Sequence, residues 1–104
     1  MDPIKEALTF DDVTLAPKYS SVLPSEVNTS VKLSKNLNLK IPLLSSAMDT
    51  VTESKMAIEI AKAGGIGVIH RNLSFSDQLL EIKKVQKKGL AVGAAVGTND
   101  TELS

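Results

Sequence analysis

The apolar positions change their rhythm near residue 40 of this chain. Before it, residues 1–40 are irregular, and short runs such as Val13-Thr14-Leu15-Ala16 are punctuated by Pro17 and Pro24. Val27 to Leu33 alternates loosely in twos, which predicts a half-exposed, antiparallel strand. Ile41-Pro42-Leu43-Leu44 is a continuous apolar run, as expected of a strand buried on both faces, with Pro42 tolerated near its start. Thr50-Val51-Thr52-Glu53 has the form of a capping box. Met56, Ala57, Ile60 and Ala61 would line one helical face, and Gly64 would stop that helix.

The unit then repeats. Ile66-Gly67-Val68-Ile69 reads as a second buried strand, ending at His70-Arg71-Asn72. Ser74 and Asp77 are placed to cap a helix whose inner face is Leu79, Ile82 and Val85. Its acids come early (Asp77, Glu81) and its lysines late (Lys83, Lys84, Lys87, Lys88), which complements the helix dipole. Gly89 ends it, and Ala91 to Gly97 reads as a third buried strand. Residues 41–97 therefore predict β-α-β-α-β with parallel strands and right-handed crossovers. Thr98 to Ser104 reads as a strand-end loop and the cap of a third helix. The expectation is one part of a larger α/β protein, with an open strand edge.

Composition narrows the function classes. The 104 residues carry 12 Lys+Arg against 12 Asp+Glu, so the net charge is zero and no basic footprint for nucleic acid is present. Aromatic residues make up 3%, too few for base-stacking platforms. The absence of cysteine excludes disulfides, cysteine-ligated metal and a cysteine nucleophile within this segment. The longest apolar-leaning stretch, Ala57 to Ile69, is broken by Glu59 and Lys62 and is too short and too polar to span a bilayer. No apolar leader core follows Met1-Asp2-Pro3, and a cytoplasmic location is the expectation.

In parallel α/β folds ligands meet the carboxyl ends of the strands. Three loops qualify: Ser45 to Thr50, His70-Arg71-Asn72, and Gly97 to Asp100. In the first, Ser46 is suited to donate to a phosphate oxygen, and Met48 to cover a heterocycle. The plainer reading makes Ser45 and Ser46 turn residues, Met48 core filling and Asp49 a local backbone bonder. His70, the single histidine, sits where a ligand contact or proton transfer would be useful. No carboxylate near it in sequence would orient it, which favours a strand-end hydrogen-bonding role. Gly64-Gly65-Ile66-Gly67 precedes a strand and does not fit the dinucleotide fingerprint, and no lysine follows the Gly93 to Gly97 spacing as a P-loop requires. Asp11 and Asp12, adjacent in an extended segment, would point opposite ways. Nothing here is a complete catalytic set.

Ala7 to Val13 (ALTFDDV), Val22 to Val27 (VLPSEV), Ile41 to Glu53 (IPLLSSAMDTVTE), Gly64 to Asn72 (GGIGVIHRN) and Val92 to Gly97 (VGAAVG) closely resemble the inosine-5′-monophosphate (IMP) dehydrogenase family, in family order and over nearly the whole chain. The related GMP reductases fit these blocks less well. The resemblance implies a partial (β/α)8 TIM barrel, with its first three strands at 41–47, 65–70 and 91–97. An irregular N-terminal segment with short antiparallel strands would pack across it. It implies NAD-dependent oxidation of IMP to XMP by a cysteine thiolate, supported by a monovalent cation (K+), in a homotetramer. The cysteine, the cation ligands and the rest of the barrel would lie outside this chain. Residue by residue, Ser46 and Met48 match IMP-contacting positions, and Asp49, His70 and Asn72 match supporting ones.

Most of the family inserts paired CBS modules between the second helix and the third strand. Here the expected insertion point, residues 86–91, runs directly from Gln86 to Ala91. Residues 1–104 are thus expected to be the N-terminal portion of a catalytic barrel without a CBS domain, inactive by itself. Two alternatives are a GMP reductase of the same superfamily and a non-catalytic partial-barrel assembly module.

Overall fold

Why the chain folds as it does is clearest from the glycines that punctuate it in the computed structural model, which describes residues 2–99. Gly64 stops α1 (Ser54–Lys62) at φ +107°, a left-handed conformation that suits glycine. Its carbonyl then accepts the N–H groups of Lys40 and Ile41 at 3.0 and 3.3 Å, tying the helix end to the chain entering the sheet. Gly67 lies in the next strand, where an added Cβ would stand 2.6 Å from the Ala57 Cα, so its bareness lets α1 approach the sheet.

Among the described residues five short strands form two sheets. β1 (Val31–Ser34) and β2 (Leu37–Leu39) make an antiparallel hairpin, Val31 opposite Leu39, with an irregularity between Lys32 and Ser34. β3 (Leu44–Ser45), β4 (Ile66–Ile69) and β5 (Gly93–Ala94) make a parallel sheet in simple sequence order. Leu44 pairs with Ile66, and Val68 with Gly93. α1 connects β3 to β4, and α2 (Phe75–Gln86) connects β4 to β5. The helices pack against each other and against β4, so one face of the sheet is helix-covered. Ala57, Ile69 and Val85 form its buried centre, with Ile58, Leu73, Ile82, Leu90 and Val92 packed around them.

The β-α-β-α-β order and the parallel pairing agree with the sequence expectation, and β4 occupies nearly its expected span. Several expectations need correction. The antiparallel strand begins at Val31 rather than Val27, because Asn28 turns the chain by accepting the Ser30 N–H. All four β1 residues are exposed, and the hairpin is covered only through β2, where Leu39 is buried. The first parallel strand is two residues rather than 41–47, and the third is two rather than 91–97. Leu43 and Leu44 are about half exposed, not buried on both faces, because helices cover one side only. Met56 and Leu79 point away from the centre that Ala57 and Val85 occupy. The expected third-helix cap lies outside the described residues after Asn99.

Among the described residues, the stretch 2–29 contains two three-residue 3-10 turns, Phe10–Asp12 and Pro24–Glu26, and no other helix or strand. Asp12 accepts the Thr9 N–H at 2.9 Å, so Asp11 and Asp12 sit in a turn rather than on an extended segment. Ile4, Phe10, Leu15 and Tyr19 are almost fully exposed. Consequently the Cα radius of gyration is 18.2 Å, against about 13 Å for a compact domain of this length. No helix among the described residues is long and apolar enough to cross a membrane.

Candidate functional site at the strand ends

The carboxyl ends of β3 and β4 are joined by a network of buried polar groups. Ser45, the last residue of β3, is buried, and its hydroxyl is hydrogen-bonded to Thr52 Oγ1 at 2.9 Å. Thr52 is fully buried, and its hydroxyl also reaches the Ser46 carbonyl. Between them the chain folds back on itself: Met48 N–H donates to the Ser46 carbonyl, and the Met48 carbonyl accepts from Val51 and Thr52, each at 2.9–3.0 Å. Loop 46–52 is therefore a closed turn, with Ser46 and Met48 on its exposed side; Met48 is 55% exposed. That exposure removes the core-filling reading of Met48.

His70 follows β4 and is 3% exposed. Its Nδ1 accepts the Asn72 N–H at 3.1 Å, which leaves the ring proton on Nε2. Nε2 then donates to Glu53 Oε1 at 2.8 Å. No carboxylate near it in sequence orients His70; a distant one, Glu53, seventeen positions earlier, does so through the fold. Two further bonds cross the same gap. His70 N–H donates to the Thr52 carbonyl at 3.4 Å, and Asn72 Nδ2 donates to Asp49 Oδ2 at 3.1 Å.

Glu53 is accordingly not part of a capping box with Thr50. α1 starts at Ser54, and Glu53 is its N-cap without a side-chain cap bond. The orphan N–H of Ser54 is satisfied from α2, by Glu81 Oε2 at 2.7 Å. Glu81 also accepts from Lys84 at 2.6 Å. The Lys84 ammonium, followed by the bond from Ser54, holds the Glu81 carboxyl well below its ordinary value, at about 2 against 4.5. By contrast α2 is capped locally, Ser74 Oγ accepting the Asp77 N–H at 3.1 Å as its sequence predicts.

The third strand end is joined by Gln78. Its Nε2 donates to the His70 carbonyl at 3.1 Å and to the Ala95 carbonyl at 2.8 Å, bridging the exits of β4 and β5. A small hollow of about 50 Å³ beside it is lined by Arg71, Phe75, Gln78 and Ala95. A larger open groove of about 440 Å³ lies along Asp49, Val51, Glu53 and Met56. Among the described residues no three His, Asp or Glu side chains assemble as metal ligands.

The structure thus brings together Ser46, Met48, Asp49, His70 and Asn72 around two adjacent strand ends. Reading the sequence missed Thr52, Glu53 as a partner of His70, Gln78 and Glu81. Gln78 alone left a sequence signal, a polar residue in the first turn of a helix following a strand-end histidine. The arrangement supplies hydrogen-bond donors and an exposed thioether at the rim, and both His70 ring nitrogens are engaged internally.

Comparison with known proteins places these features. A family model described as IMP dehydrogenase / GMP reductase domain matches residues 7–104. The chain is 67% identical over 82 residues to the inosine-5′-monophosphate dehydrogenase of Borreliella burgdorferi, covering 79% of this chain and 20% of that protein. It is 51% identical over 102 residues to that of Aquifex aeolicus, covering 96% and 21% respectively. The Staphylococcus saprophyticus protein of the same name is 58% identical over 83 residues, covering 80% of this chain and 17% of its own length. The chain spans about a fifth of the length of these relatives.

Proposed function

The chain belongs to the IMP dehydrogenase / GMP reductase family, and from that premise we propose that it is the first β-α-β-α-β sector of a (β/α)8 barrel that oxidises IMP to XMP with NAD. The observation that carries this reading is the sheet itself. Its parallel strands run in unreversed order with both helices on one face, while Leu43 and Leu44 stay exposed beside them. A parallel sheet is normally covered on both faces, and closure into a barrel would cover the second with the sheet's own remaining strands.

In this reading Ser46 and Met48 contact IMP, the serine donating to its phosphate and the methionine lying against its base. Asp49, His70 and Asn72 support them without taking part in the chemistry. NAD and the K+ ion bind through residues beyond this segment, as does the cysteine that attacks the purine. Residues 87–92 link α2 directly to β5, leaving no CBS module at that junction. The complete protein works as a cytoplasmic homotetramer.

The test is to follow the nicotinamide absorbance of the complete protein with IMP and NAD, then with GMP and NADPH. A rise with IMP and NAD, with XMP as product, is the expected result. Consumption of NADPH with GMP alone would overturn it in favour of a GMP reductase.

A further inference from the structure

Glu53 has an unusual position for a helix N-cap. Its side chain makes no bond to its own helix, and the first free N–H of that helix, on Ser54, is held by Glu81 of α2. Instead it reaches across to His70 Nε2 at 2.8 Å, while the opposite ring nitrogen is pinned by the Asn72 N–H. The bond from Nε2 therefore has a fixed direction and a fixed donor. It anchors the segment Thr52-Glu53, whose Thr52 hydroxyl and N–H hold the carbonyls of Ser46 and Met48. A continuous chain of hydrogen bonds thus runs from the β4 exit to the backbone of the exposed loop.

We propose that Glu53 and His70 are positioning residues, a clasp across the ends of β3 and β4 that fixes loop 46–52 in its nucleotide-binding shape. This rests on the reading of Ser46 and Met48 as IMP contacts. Neither clasp residue touches the nucleotide; each acts through Thr52. A loop already held in shape loses less conformational freedom on binding, so the clasp lowers KM for IMP rather than raising kcat.

Steady-state kinetics of the full-length protein separate the clasp from the reading beneath it. Glu53→Ala is expected to raise KM for IMP about tenfold, with kcat and KM for NAD changed less than about threefold. Glu53→Gln keeps an oxygen that accepts from Nε2 and should restore most of the affinity. Should Glu53→Ala fail to fold, Glu53→Asp, which retains charge but is one methylene too short, is expected to give the same selective rise. Ser46→Ala serves as the reference for the loop itself. If Ser46→Ala raises KM for IMP while Glu53→Ala and Glu53→Asp leave it unchanged, the clasp is wrong and the loop assignment survives. If none of them alters it, the loop assignment falls and takes the clasp with it. A uniform loss of kcat without a selective change in KM for IMP would also refute the clasp.

Discussion

Gly67 shows how much a single absent carbon decides. A Cβ there would lie 2.6 Å from the Ala57 Cα and 2.7 Å from its Cβ, distances that force helix and sheet apart. Gly67→Ala is therefore expected to cost about 1–3 kcal/mol by overpacking, read as a lower midpoint in urea denaturation with an unchanged slope. The sequence reads the Gly64-Gly65-Ile66-Gly67 cluster as a helix stop with tight helix–strand packing, and Gly67 is where that packing occurs. Ser74 and Gly64 were legible because cap and partner lie within one turn of each other. Thr52 and the Glu53–His70 bond were not, because their partners converge only after the chain has formed a helix and returned as a strand.

Among the elements, α1 departs most from its sequence signature. Thr50 to Glu53 has the spacing of a capping box, yet the tertiary partner won: Glu53 bonds His70, and Glu81 of α2 covers the Ser54 N–H. The pairing has a pH signature. Glu81 is ionised in the fold down to about 2, against an ordinary 4.5, so the native state favours its charged form. The stability it contributes is present above about pH 5 and is lost as pH falls towards 2. Thermal unfolding across that range should show a steeper acid-side decline for the parent protein than for Glu81→Gln, whose amide does not titrate. The strands were legible in order and direction. Their short lengths were not, because apolar residues such as Leu43 and Val96 mark a buried environment that the described residues leave open.

On the scale of the whole molecule, apolar surface is the dominant feature. Ile4, Phe10, Leu15 and Tyr19 stand in solvent along the N-terminal stretch, and Leu43, Leu44 and Val96 beside the parallel sheet are about half exposed. Such surfaces mark contacts with further protein, consistent with a chain that spans about a fifth of its relatives. The family was legible from five sequence blocks, since these are specific in wording and order. Activity is a different matter. The proposed reaction runs through a cysteine thiolate, and with no cysteine among its 104 residues the isolated chain lacks the nucleophile that this proposal requires. Purified alone and supplied with IMP and NAD, it is expected to produce no XMP by chromatography.

The Glu81 carboxylate over the first turn of α1 sets an order of events. It stands 27 positions beyond the N–H it satisfies. On a chain emerging from the ribosome, the nine residues of α1 are synthesised well before that partner exists. So short a helix is marginal in water without docking, and its opening amide must stay hydrated until α2 has been made and laid beside it. The smallest stretch that can finish this corner of the sheet is therefore both helices with β4 between them, assembled together rather than one after the other.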